Sequence, residues 1–231
     1  MPREAAEQMR RYDAFAVMAA QCDNLGESGD PRDLYALIDS VVADMQVAMP
    51  EFACRAGCFH CCHTPPMVTS MEWRPLFKAL RTLSHDKLLR VLDMVELQRS
   101  LAPALEAKRQ ATIHPQKGIA PPHLGMQCPL LVDGQCAVYK ARTLICRAHG
   151  YFAHGRGKHY AYFGCELAKA HMASHFPQDT VLPKLEAFAA KVGQLNGNDR
   201  CTQAFLPQWL FVHVQKRTLR PMANLYPDFG A

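Results

Sequence analysis

Apolar positions recur at helical spacing along most of the chain. Leu34, Leu37, Ile38, Val41, Val42 and Met45 share one face, and the spacing predicts a helix over 31–48 that starts after Asp30-Pro31. Ahead of it, residues 4–20 are rich in Ala, Glu, Gln and Met and read as a second helix. Thr69 followed by Glu72 has capping-box spacing, and Trp73, Leu76, Phe77 and Leu80 continue as one apolar face. Ser84 opens a further helix through Leu88, Leu92 and Val95, continuing past Leu101 with a kink or break at Pro103. Two more helices are expected at about 180–194 and 207–218, separated by the polar turn Asn196-Gly197-Asn198-Asp199.

The remaining stretches lack that period. Residues 113–127, with Pro115, Gly118, Pro121, Pro122 and Gly125, read as a connector. Asp133-Gly134 lies between Cys128-Pro129-Leu130-Leu131-Val132 and Cys136-Ala137-Val138-Tyr139, a strong hairpin signal. Residues 141–150 begin a short helix carrying Cys146, residues 150–160 read as a loop, and Tyr160–Phe163 as a short strand before Cys165. The expected fold is mainly α, with helices framing a cysteine-rich metal-binding centre and one small β-hairpin. It is expected to be a single domain over 1–231, with a cysteine core at 54–165 and flanking helices at 1–50 and 178–220.

Composition supports a packed core: 49% of the residues are hydrophobic and 20% charged, which argues against disorder. The formal charge of +5 is a mild basic excess and indicates nucleic acid no further than that. The ten cysteines offer a more local account, since eight thiolates would turn +5 into −3 before any metal is counted. The opening residues carry Glu4 and Glu7 and lack an apolar core, unlike a secretory signal, and no apolar run approaches a membrane span. The expected location is cytoplasmic, where thiols stay reduced and clustered cysteines point to metal or redox chemistry.

The cysteines fall in two blocks. Cys54, Cys58, Cys61 and Cys62 lie within nine residues, interrupted by Gly57, which lets the backbone turn tightly. Thiolates suit zinc, copper(I) and iron–sulfur clusters. Adjacent Cys61 and Cys62 point in different directions in most backbones, which suits a multinuclear cluster or two neighbouring sites better than one tetrahedral ion. Cys128, Cys136, Cys146 and Cys165 form the second block and supply four more candidate ligands, expected to converge on the first four. Arg142 and Arg147, beside Cys146, are candidates to donate to sulfur, against ordinary surface salt bridges. His60, His63 and His149 are candidate replacement ligands, and His154, His159, His171 and His175 suggest a polar, metal-facing pocket. Cys22 and Cys201 lie outside the pattern and read as incidental.

The run Cys54-x3-Cys58-x2-Cys61-Cys62, then Cys128-Pro129-Leu130-Leu131, Gly134-Gln135-Cys136-Ala137-Val138-Tyr139, Arg142 and Cys146-Arg147 resembles the YkgJ-type cysteine-cluster family. That family is described as a zinc- or iron-chelating domain with eight cysteines. The resemblance spans roughly 54–165 and implies Cys54, Cys58, Cys61, Cys62, Cys128, Cys136, Cys146 and Cys165 as the eight. Where the family often has Arg-Pro, this chain has Arg142-Thr143. Flagellin lysine-N-methylase is similar to the family in its cysteine motif, and the resemblance implies an iron–sulfur cluster without establishing a methyltransferase.

The metal is expected to be an iron–sulfur cluster, of the four-iron, four-sulfur (4Fe-4S) type, with zinc as the alternative. Four-cysteine ligation with close spacing among the first three favours iron–sulfur. Zinc sites are often built from two Cys-x2-Cys pairs, and only one, Cys58–Cys61, exists here. Cys54-x3-Cys58-x2-Cys61 also equals the radical SAM signature, but the βα units of that fold are missing from a chain that reads as helical. Three functions follow: a metal-binding protein with a structural or redox cluster, a cluster-dependent redox or group-transfer enzyme, and a metal storage or delivery protein. No Gly-rich nucleotide loop or nucleophile triad names a substrate or protein partner.

Overall fold

Short capping signals decide where the helices begin. The computed structural model describes residues 3–27, 29–52, 54–55, 57–116, 124–156, 159–199, 202–222, 227 and 229. Along the chain come α1 (Arg3–Gln21) and α2 (Leu34–Ala48), then a 3₁₀ turn at His60–His63 and strand β1 (Met67–Thr69). Next are α3 (Ser70–Leu80), α4 (His85–Gln98), α5 (Ala102–Ile113), β2 (Leu131–Val132) and β3 (Gln135–Cys136). They are followed by α6 (Leu144–Ala148), β4 (Phe152–Arg156), β5 (His159–Phe163), α7 (Glu166–His175) and α8 (Leu185–Leu195). The last are β6 (Gln203–Phe205), α9 (Leu206–His213), β7 (Val214–Gln215) and β8 (Thr218–Leu219). The fold is mainly α, and the predicted hairpin β2–β3 is joined among the described residues by three further antiparallel pairs: β1–β6, β4–β5 and β7–β8.

The chain divides into two compact units, Met1–Cys61 with Leu144–Gly197, and Cys62–Thr143 with Asn198–Ala231. In the first, α1 packs on α2 and α8, α2 also on α6, and α8 on β4. Leu34, Ile38, Val41 and Met45 are fully buried, as their spacing predicts. The start of α2 is later than expected. The buried Asp33 carboxylate accepts from Tyr35 N at 2.9 Å and Gly26 N at 2.7 Å and caps the helix, whereas Asp30 accepts from Arg32 N and Asn24 Nδ2 in the turn before it. Lys191 of α8 donates to the Ala20 carbonyl at the end of α1, where a cation is favoured.

Phe152–Arg156, in the stretch expected to be a loop, is a strand paired with His159–Phe163. Phe152 pairs with Phe163 and Arg156 with His159 across five register positions, and Phe152 meets Phe188 edge-on at 5.4 Å. Gly155 serves the hairpin: a Cβ there would run into the His159 backbone. Its N–H donates to Glu186 Oε1 at 2.6 Å.

The second unit is centred on two stacked indoles. Trp73 of α3 and Trp209 of α9 lie 5.6 Å apart at 18°, both fully buried, and Trp209 Nε1 donates to Val68 O of β1 at 3.0 Å. The expected capping box is present: Glu72 N donates to Thr69 Oγ1, and Thr69 N to Glu72 Oε2. The break expected at Pro103 is present: α4 gives way to a 3₁₀ turn at Arg99–Leu101, and Pro103 sits in the first turn of α5, where its missing N–H is harmless. The helix expected over 207–218 ends at His213. Arg99 takes the carbonyls of Phe211 and Val214, and Lys216 and Arg217, at φ 48° and 56°, turn the chain back as β7–β8.

Replacing Asp33 by Ala leaves two N–H groups unpaired at the α2 start. A loss of about 2 kcal/mol in urea unfolding is expected, with most of it restored by Asp33→Asn; an unchanged unfolding midpoint in Asp33→Ala would contradict the cap.

Candidate metal centre

In the first unit, Cys54 is held at both ends. Its carbonyl accepts from the Tyr151 hydroxyl, which in turn accepts from Gln46 Nε2 at 2.8 Å. Its thiol rests on Gly150. That residue has φ +86°, and a Cβ there would overlap the Cys54 sulfur and lie 2.7 Å from Cys54 Cβ. Gly150 is itself fixed, its N–H donating to Phe163 O at 2.7 Å and its carbonyl accepting from Tyr162 Oη at 2.7 Å. Gly57, at φ +90°, makes the turn to Cys58, whose N–H returns to Arg55 O at 3.0 Å.

Burial pushes the Cys54 thiol up to about 12, and the neighbouring Cys58, Cys165 and Cys61 push it in the same direction. Burial also raises the Tyr162 hydroxyl, reinforced by Cys54 and Cys165. Cys165, more than a hundred residues along the chain, therefore joins the first cysteine block. It sits at the N-cap of α7. Cys54, Cys58 and Cys165 are thiols, not half-cystines. Cys54, Cys58, Cys61 and Cys165 are soft donors of the kind a thiophilic metal takes, and each is partly buried.

Cys146 lies on α6 of the same unit. Its neighbour Arg147 is buried, lies over the Tyr35 ring at 4.4 Å and pairs with the exposed carboxylate of Asp39, so the salt bridge runs from the interior to the surface. In the second unit, Cys128 N–H donates to Cys62 O at 2.6 Å, and Cys136 pairs across the hairpin with Leu131. Cys128 belongs to the apolar core with Leu130, Val132 and Val138, and Cys62 and Cys136 pack against it. Arg142 donates to Tyr139 O and lies 3.6 Å over the Tyr139 ring.

The histidines are spread out. His60 stacks on Phe59 at the surface, and the His63 carbonyl accepts from Met126 N. His149 meets Phe163 edge-on at 4.9 Å, and burial, then Lys169, lowers its proton affinity. His154 also faces Phe163, at 5.5 Å. His171 and His175 stack on each other at 3.9 Å along α7, with His171 Nε2 at Glu51 O. Among the described residues, no three Cys, His, Asp or Glu side chains are placed to hold one metal ion. Cys22 is buried at the end of α1 with its thiol toward Met18 O; Cys201 lies outside the described residues.

Gly150, Tyr151 and Tyr162 are the site residues that sequence reasoning missed. The signal available was a glycine and a tyrosine close behind Cys146 and a tyrosine three residues before Cys165. Gly29, at φ +89° with no atom within 4 Å of a built Cβ, isolates backbone strain from overlap. Gly29→Ala is expected to cost about 1 kcal/mol, from the left-handed backbone alone. Gly150→Ala is expected to cost about 2 kcal/mol more, because the methyl must displace the Cys54 thiol. Equal losses in urea unfolding would remove Gly150 from the Cys54 cradle.

The Cys54 shift also has a pH signature. A thiol raised from 9.0 to about 12 on folding stabilises the metal-free fold fully below pH 9, and that contribution is lost as pH rises toward 12. Metal-free chain should therefore lose stability over that window and Cys54→Ala should lose less; identical pH profiles for the two would refute the burial of Cys54.

No curated protein and no solved structure matches the chain. A family model described as "CxxCxxCC: Putative zinc- or iron-chelating domain" matches residues 53–166, which contain all eight cysteines of the two blocks.

Proposed function

We propose that the chain is a metal-binding protein that holds an iron–sulfur cluster through Cys54, Cys58, Cys61 and Cys165, with a structural or electron-transferring role in a reducing compartment. What supports this reading is the electrostatic influence of Cys58, Cys165 and Cys61 on the Cys54 thiol, all four lying in one unit. Three close cysteines and one remote one, Cys-x3-Cys-x2-Cys with a distant fourth, is the pattern by which several iron–sulfur clusters are held. Thiolate ligands, desolvation by burial and hydrogen bonding nearby are the levers that set the potential of such a cluster. Cys62, Cys128, Cys136 and Cys146 complete the eight candidate ligands, and serine variants sort them. Zinc is the second reading, favoured by the family description and by the capacity of four thiolates to close a tetrahedral site.

Anaerobically purified chain should be brown, absorb in the visible sulfur-to-iron region and contain iron and acid-labile sulfide. Cys165→Ser and Cys58→Ser should each lose that absorption and several kcal/mol of stability, since metal-binding energy is folding energy; Cys22→Ser should keep both. Colourless protein with stoichiometric zinc overturns iron, and full metal content in Cys165→Ser overturns the four-ligand assignment.

A further inference from the structure

The first unit contains a cavity of about 500 Å³, within the usual range for small-molecule sites. Its walls are flat and soft: the rings of Tyr160, Tyr162 and Phe176 and the thioether of Met172. Aromatic faces favour a planar partner, and a methionine adapts to its outline. Two ammonium groups reach the lining. Lys169 is already bridged to Glu166 at 2.7 Å. Lys184 stands 4.8 Å over the Tyr160 ring, with no carboxylate partner among the described residues. Asp179 lies on the exposed rim. Tyr162 forms one wall, while its hydroxyl holds Gly150, on which Cys54 rests.

We propose that this cavity binds a small aromatic monoanion, its ring between Tyr160, Tyr162 and Phe176 and its anionic group on Lys184. Lys169 is neutralised by Glu166, so Lys184 is the cation left for a ligand, and the Asp179 carboxylate opposes an anion at the rim. Binding needs no metal, so the cavity goes beyond the cluster assignment and does not depend on it.

The test uses two fluorescent probes on the full chain, the monoanion 8-anilinonaphthalene-1-sulfonate and the neutral N-phenyl-1-naphthylamine. The anion should saturate one site per chain. Lys184→Gln should weaken it about tenfold and leave the neutral amine unchanged, as expected for loss of one charge-assisted contact. Asp179→Asn should tighten the anion about twofold by removing a repulsion. Ala173→Trp, an exposed position on α7 that lines the cavity, should fill it and weaken both probes more than tenfold. Anion binding unchanged in Lys184→Gln, both probes unchanged in Ala173→Trp, or no saturable site overturns the proposal. Iron content of each variant is measured alongside: a metal-free chain that binds the anion at one site sinks the cluster and leaves the cavity standing, while a brown chain without a saturable site does the reverse.

Discussion

The partly buried Cys54 thiol, with Cys58, Cys165 and Cys61 near enough to act on it, is an electrostatic constraint that the first unit is built around. A thiolate leaves water reluctantly, and a second one beside it raises the cost of both. Cys54 feels both effects, from its own burial and from Cys58, Cys165 and Cys61. In the metal-free chain these influences favour the neutral Cys54 thiol. Tyr151 and Gly150 fix Cys54 from two sides, and Tyr162 fixes Gly150, so the thiol's position is set by the α6–β5 segment and not by the cysteine-rich run alone.

The second unit shows a different use of cysteine. Cys62, Cys128 and Cys136 border an apolar core built on Trp73 and Trp209, and the backbone of Cys128 is tied to that of Cys62. Cys128 is buried against leucine and valine side chains and Cys62 and Cys136 are partly so, surroundings as suitable for packing as for ligation.

Much of the helical framework was legible in the sequence. The capping box at Thr69 and Glu72, the buried face of α2 and the Asp133-Gly134 hairpin follow from local rules, with Asp133 and Gly134 both at positive φ. The errors have physical causes. Gly155 looked like a loop residue because the sequence does not reveal that His159 would occupy its side-chain space. The end of α9 depends on Arg99, more than a hundred residues away. For the site, cysteine spacing located the thiols, but the pairing of Cys165 with the first block and the Gly150 cradle are tertiary facts that no local pattern carries.

The interleaving of the two units bears on how the molecule can be made. The first unit is complete only when residues 144–197 have joined residues 1–61, and the second only when 198–231 have joined 62–143. A nascent chain emerging from the ribosome thus exposes Trp73 before Trp209 exists to cover it, and presents Cys54, Cys58 and Cys61 before Cys165 has been synthesised. The four-thiol centre proposed above would form only after translation has passed residue 165, and no single cut in the polypeptide can release either unit whole.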